Sequence, residues 1–124
     1  MFKTILGYDI EEGVTEEAYE TWLFEVHAAD LLANPHLDRI IFNKVGERVT
    51  STSGGTADIQ GGNTFYRIAE MHFEDEAAYR AYRDWFADHP IPKERGPAGR
   101  TRFKFYVTAI PTEVTRESLA ESRG

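Results

Sequence analysis

Apolar positions along the chain change period several times, and each change marks an element. Residues 2–10 alternate irregularly among Phe, Ile, Leu and Tyr, which predicts a strand. Gly13 ends the turn that follows, and Thr15 stands as an N-cap. Glu16 and Glu17 then place negative charge at the positive end of a helix dipole. Over residues 16–33, Ala18, Tyr19, Trp22, Leu23, Val26, Ala29 and Ala33 share one sector of a helical wheel. Asn34-Pro35 stops that helix. The run from Asp38 to Val45 reads as a second strand. Residues 46–63 are poor in apolar side chains and rich in Gly, Ser and Thr, which predicts a long mobile loop, a lid over a pocket being one use for it.

Residues 64–73 alternate as a third strand. Tyr66, Ile68, Glu70 and His72 take one face, and Phe65, Arg67, Ala69, Met71 and Phe73 the other. Asp75 caps a second helix over 76–88, where Ala78, Tyr82, Trp85 and His89 recur at helical spacing; Pro90 and Pro92 end it. A Pro/Gly-rich basic loop over 90–100 leads into a fourth strand at 101–110. Phe103, Phe105 and Val107 are expected on one of its faces and Tyr106 on the other. The order β-α-β-β-α-β predicts an α+β, ferredoxin-like domain over 1–111, with two helices on one face of a four-stranded antiparallel sheet. Residues 112–124 read as a polar tail or a short helix near Arg116–Ser122. Large apolar residues on both faces of the strands leave the uncovered face in need of a partner, which predicts a homodimer closing sheet against sheet.

Composition narrows the chemistry. Of 124 residues, 14 are Lys or Arg and 21 are Asp or Glu, a formal net charge of −7. Such a chain repels nucleic acid, and the basic residues are not interleaved with aromatics. No apolar run is long enough to span a membrane, and polar residues break up the first segment as a signal peptide; a cytoplasmic protein is expected. Cysteine is absent, which removes disulfides, thiolate nucleophiles and Cys-ligated metals. Sixteen aromatic residues (eight Phe, six Tyr, two Trp) suit a flat apolar ligand as well as a core.

Two stretches resemble a known group. Trp22-Leu23-Phe24-Glu25-Val26-His27-Ala28, followed by Asn34-Pro35-His36-Leu37-Asp38-Arg39, resembles the dimeric α+β barrel superfamily in its EthD-like branch, with His36 where that branch has Gly. Trp85-Phe86-Ala87-Asp88-His89-Pro90 and Arg100–Val107 are similar to the REDY-like HapK proteins; the aromatic residue followed by His-Pro is also similar to small plant polyketide cyclases. The resemblance covers residues 1–110 and implies the same fold and a homodimer. The superfamily holds cofactor-free monooxygenases, polyketide cyclases, lactone isomerases and haem-binding enzymes, so it implies no single reaction.

Histidine is the candidate catalyst, because its imidazole changes charge near neutral pH. Of the four histidines, His27 sits in the row Tyr19, Leu23, His27, Leu31. It is either a half-buried structural side chain or, as the EthD-like resemblance implies, a base facing the cleft. His89 either complements a helix C-terminus or works at a pocket mouth held by Pro90. His72 shares a strand face with Tyr66, and the two line a pocket or an interface according to which way that face points. No histidine has a metal-ligand spacing, and no cofactor is expected. The predicted catalytic set is therefore His27, His89, His72 and Tyr66, with Tyr8, Trp22, Phe42, Trp85 and Tyr106 lining a small apolar or aromatic substrate. The expected chemistry is cyclisation, isomerisation, elimination or cofactor-free oxygenation of an aromatic, polyketide-like or lactone compound in secondary metabolism. A non-catalytic carrier and a haem-binding protein are the alternatives. The cluster Lys93, Arg95, Arg100 and Arg102 is either a solvated loop or a steering patch for an anionic substrate.

Overall fold

The computed structural model describes residues 1–46 and 65–123. Apart from Gly46, the expected mobile loop over 46–63 lies outside the described residues. The strands are β1 (Phe2–Ile10), β2 (Arg39–Lys44), β3 (Arg67–Phe73) and β4 (Thr101–Ala109). They form one antiparallel sheet in the order β2-β3-β1-β4. The first helical stretch runs through α1 (Glu16–Trp22), a π-helical turn (Leu23–His27) and α2 (Ala28–Leu32); the second is α3 (Glu76–Asp88). This is the ferredoxin-like βαββαβ arrangement. A short helix, α4 (Arg116–Arg123), follows β4 within the polar tail.

The helix starts behave as their sequences dictate. Thr15 Oγ1 accepts the Ala18 N–H at 3.1 Å, and Asp75 Oδ1 accepts the Ala78 N–H at 2.8 Å. Gly13 takes φ 87°, a left-handed conformation that favours glycine, and this lets the chain turn from β1 into α1.

Strand alternation sorts the side chains onto two faces. Phe2, Leu6 and Tyr8 of β1 and Ala69, Met71 and Phe73 of β3 are buried beneath the helices, against Tyr19, Leu23 and Tyr82. The opposite, open face carries Lys3, Ile5 and Gly7 of β1, Ile41 of β2, Ile68, Glu70 and His72 of β3, and Phe105 and Val107 of β4. Gly7 leaves room there for the Phe105 ring, which would have to move for any other residue, since a Cβ would stand 2.3 Å from it.

One expectation fails at β4. Gly7 pairs with Phe105 but Tyr8 pairs with Phe103, so a bulge slips the register by one residue at Lys104. Phe103 therefore turns to the helix side with Tyr106, leaving Phe105 and Val107 on the open face.

A polar side chain ties the two helices to each other. Asn34 is fully buried; its Nδ2 donates to the Tyr82 carbonyl at 2.9 Å and its Oδ1 accepts the His36 N–H at 3.0 Å. Replacing it leaves the buried bond to the Tyr82 carbonyl unmade. Asn34→Ala is expected to cost about 2–3 kcal/mol. Urea unfolding should show a lower midpoint with an unchanged slope; an unchanged midpoint would mean that Asn34 does not hold the helices together.

Candidate active site

Between the helices and the sheet lies a cavity of about 230 Å³. Its floor is Leu6 and Tyr8 of β1, Ala69 and Met71 of β3, and Ile40 and Phe42 of β2. Tyr19, Leu23, His27 and Leu31 form one wall, and Tyr82 and Phe86 of α3 form another. Phe103 and Tyr106 on the edge strand β4, 46% and 49% exposed, stand at its rim. No Asp, Glu, Lys or Arg lines it among the described residues.

The π turn fits the first wall to its task. In an α-helix every fourth residue overshoots a full turn by about 40°, so the row Tyr19, Leu23, His27, Leu31 would drift around the helix by roughly 120°. The Ala28 N–H bonds instead to the Leu23 carbonyl, five residues back. That wider turn absorbs the drift and keeps all four side chains inward. It also turns Ala29 and Ala33 out to solvent, against the simple helical wheel.

The same turn brings Trp22 and His27 together. Five residues apart, they would point roughly 140° away from each other in an α-helix. Here their rings stack, with centroids 4.5 Å apart and an interplanar angle of 16°. Trp22 is itself fixed, since its indole N–H donates to the Arg95 carbonyl at 2.9 Å. Arg95 in turn grips Asp30 through two bonds of 2.9 Å. Arg100 lies 5.3 Å from the Trp22 ring and donates to the Gly96 and Glu94 carbonyls. The two guanidiniums thus bind the 90–100 loop to the helix, and none of the four basic residues of that region lines the cavity.

His27 Nδ1 is buried and has no hydrogen-bond partner among the described residues. Burial pushes the imidazole pKa down to about 4, with Arg100 assisting and Asp30 opposing. The side chain is therefore a neutral base at pH 7. Tyr8 Oη is also buried without a partner. The neighbouring Tyr19 hydroxyl is bonded instead to Thr101 Oγ1 at 2.8 Å. Burial, reinforced by Tyr19, raises the Tyr8 phenol well above the usual tyrosine range, so it stays protonated.

The other predicted site residues fall elsewhere. Trp22 is buried but lies behind His27 and does not line the cavity. Trp85 and His89 stack on each other at 4.2 Å and 14° outside it. His89 is exposed, and its Nδ1–H donates to the Trp85 carbonyl at 2.9 Å. The two helix-end histidines thus do not border one cleft. His72 lies on the open sheet face, where Nδ1 accepts from Arg39 at 3.4 Å and Nε2–H donates to Glu70 Oε1 at 3.3 Å. Tyr66, just ahead of β3, turns the other way: its hydroxyl makes a short bond to Glu20, which also pairs with Arg67 at 2.8 Å. His72 and Tyr66 therefore form no pair. Tyr8, Phe42 and Tyr106 do line the cavity; Tyr19, Tyr82 and Phe86 join them unforeseen, although their helical spacing could have shown it. Among the described residues no three His, Asp or Glu side chains gather as for a metal.

No sequence-family model and no curated protein sequence matches the chain. Its fold is nevertheless shared with solved proteins. The crystal structure of At3g17210 from Arabidopsis thaliana has a TM-score of 0.63 at 18% identity, over 93% of this chain and 99% of that one. HapK from Hahella chejuensis gives 0.60 at 14%, over 93% and 96%. A MhuD variant with two manganese protoporphyrin IX molecules per active site gives 0.54 at 13%, over 93% and 99%. At such identities the likeness is one of fold, and it establishes a ferredoxin-like α+β protein. Among the described residues no helix is long and apolar enough to cross a membrane.

Because His27 is neutral in the folded chain, it couples stability to acid. The unfolded chain takes up a proton near 6.5, the native one only near 4. As pH falls through that window the unfolded state gains protons first, so stability is lost by at most about 3 kcal/mol. His27→Gln should flatten this part of the stability–pH curve relative to wild type. Parallel curves between pH 6.5 and 4 would show that His27 titrates normally.

Proposed function

We propose that the protein is a small enzyme in which His27 acts as a general base on an apolar, ring-containing substrate held in the helix–sheet cavity. The observation that carries this reading is a buried, unpartnered, uncharged imidazole on the wall of a largely apolar cavity. A base there needs no desolvation before it removes a proton. Proton abstraction beside a carbonyl is the shared first step of cyclisations, isomerisations and eliminations, and that is the chemistry the site suits.

Size favours a compact substrate. An apolar cavity of roughly 150 Å³ holds benzene, so about 230 Å³ suits one or two fused rings. A porphyrin such as those bound in the MhuD structure is larger than this volume and would have to extend beyond the cavity rim. Absorbance of the purified protein with added haemin tests that alternative: a Soret band at one haemin per chain would replace the small-ring reading.

2-Indanone supplies a two-ring test of the base. In D2O the His27 lone pair takes an α-proton, the C–H electrons pass to the carbonyl oxygen, and a deuteron returns to carbon. Proton NMR should show exchange above the buffer rate. His27→Gln should reduce that excess by about 10²–10⁴-fold. Asp30 and Arg100 flank the imidazole, and the enzymatic rate should stay level from pH 8 to 5 and fall only towards pH 4, as the base becomes protonated. Binding of 2-indanone with no exchange would leave a carrier protein.

We also propose that two copies pair through their open sheet faces. Ile5, Ile41, Ile68, Phe105 and Val107 form an apolar face around Lys3, Glu70 and His72, and Val107 is 51% exposed. Sedimentation should give twice 14.1 kDa at micromolar concentration. Val107→Arg, placing a charge beside Ile5, should return it to the single-chain mass. A wild-type species of single-chain mass would overturn this assembly.

A further inference from the structure

We infer that the cavity selects electrically neutral carbonyl or hydroxyl compounds, and that Tyr8 recognises them by donating its phenolic hydrogen to the ligand oxygen. This rests on the cavity being the ligand site and goes beyond the apolar lining role of Tyr8.

Three observations point the same way. First, no Asp, Glu, Lys or Arg lines the cavity among the described residues, so a carboxylate entering it would leave water with no counter-charge. The guanidiniums that might have served are committed elsewhere, Arg95 to Asp30 and Arg100 to two backbone carbonyls.

Second, Tyr8 is only 2% exposed and its hydroxyl has no hydrogen-bond partner. A buried hydroxyl that gives up water without replacement is costly. The Tyr19 hydroxyl, bonded to Thr101 at 2.8 Å, lies close enough to help raise the Tyr8 phenol but makes no hydrogen bond of normal geometry with it. A ligand oxygen in the cavity supplies the missing acceptor.

Third, the residues around Tyr8 fix its ring. It packs on Tyr19 at 6.1 Å and edge-on to Phe103 at 6.3 Å. It sits on the central strand β1, where the bulge at Lys104 sets Phe103 opposite it. The donor is therefore held in place before a ligand arrives. The polar groups of the cavity are the hydroxyls of Tyr8, Tyr19, Tyr82, Tyr106 and Thr101 and one neutral imidazole. Tyr19 and Thr101 bond each other and Tyr82 donates to the Met71 sulfur, so Tyr8 is the buried donor with an unmet requirement, and the set matches a ring ketone, lactone or phenol and not an acid.

Calorimetric titration with three probes of one shape tests this: 2-indanone, indane and indane-2-carboxylate. The wild-type protein should bind 2-indanone at least about tenfold more tightly than either of the others, the worth of one well-made hydrogen bond. Tyr8→Phe should erase the preference for 2-indanone over indane while leaving indane binding unchanged. It should also raise the melting temperature of the free protein, because an unpaired hydroxyl leaves the core; a tyrosine with a purely structural role would lower it. Indane-2-carboxylate binding as tightly as 2-indanone would overturn the selectivity. An undiminished ketone preference in Tyr8→Phe, or no binding of any probe, would overturn the role of Tyr8. The outcome is independent of proton exchange, so a failed base at His27 and a failed donor at Tyr8 give different results.

Discussion

The Ala28 N–H reaches back five residues to the Leu23 carbonyl, and the inner surface of the first helix depends on that wide turn. Through it, Tyr19, Leu23, His27 and Leu31 share one row above the sheet, and Trp22 lies flat behind the imidazole. An α-helical turn at this point would swing His27 away from Trp22 and bring Ala29 and Ala33 inward. The cavity would then lose its one basic group. A π turn is a poorer helix than an α turn, and here it is held from outside. Trp22 is tied to the Arg95 carbonyl and Asp30 to the Arg95 guanidinium, so the loop before β4 braces the helix on both sides of the distortion.

Much of the fold was legible because it rests on short-range rules. The caps at Thr15 and Asp75, the stop at Asn34-Pro35 and the alternation in β3 each reflect the preference of a few neighbouring residues. What was not legible depends on distant partners. The bulge at Lys104 arises from pairing with β1, and nothing in Phe103-Lys104-Phe105 announces it. The π turn, likewise, leaves no mark on local periodicity beyond a row that ought to drift and does not. Asn34 reads as a helix stop and proves to be a buried tie to Tyr82, which lies midway along the second helix and comes near only on folding. The site was half visible for the same reason. His27 and Tyr8 sit on elements whose faces were clear, whereas Tyr66 and His72 were grouped by alternation although Tyr66 precedes the strand and obeys the helix instead.

The two sheet faces divide the polar chemistry between them. On the open face charges meet charges: Glu70 accepts from Lys3 at 2.8 Å, from Asn43 at 3.2 Å and from His72 at 3.3 Å, and the Lys3 hydrogen bond above all holds its carboxyl below the usual range. On the helix face the Glu20, Arg67 and Tyr66 cluster closes one end of the layer, and Arg67 also lies over the Phe24 and Tyr66 rings. Neither network lines the cavity. Proton affinities inside it are set first by burial, with smaller contributions from Asp30 and Arg100 at His27 and from Tyr19, Arg67 and Glu20 at Tyr8, which is why His27 is a weak, uncharged base and Tyr8 a firmly protonated acid.

Among the described residues, buried side-chain atoms without a hydrogen-bond partner are Thr4 Oγ1, Tyr8 Oη, His27 Nδ1 and Arg67 Nε. Each such group costs about 1–3 kcal/mol, a large share of the roughly 5–15 kcal/mol that holds a domain together. The Arg67 guanidinium is otherwise satisfied by Glu20 and the Phe42 carbonyl. Tyr8 and His27 have no such relief, and both residues line the same cavity. Phenylalanine and leucine at these two positions would fill the same space without a penalty. Folding alone therefore gives no reason for a phenol and an imidazole there. A ligand that presents an oxygen to one and a proton to the other removes both costs at once, and the stability that the free protein forgoes at Tyr8 and His27 becomes affinity for it.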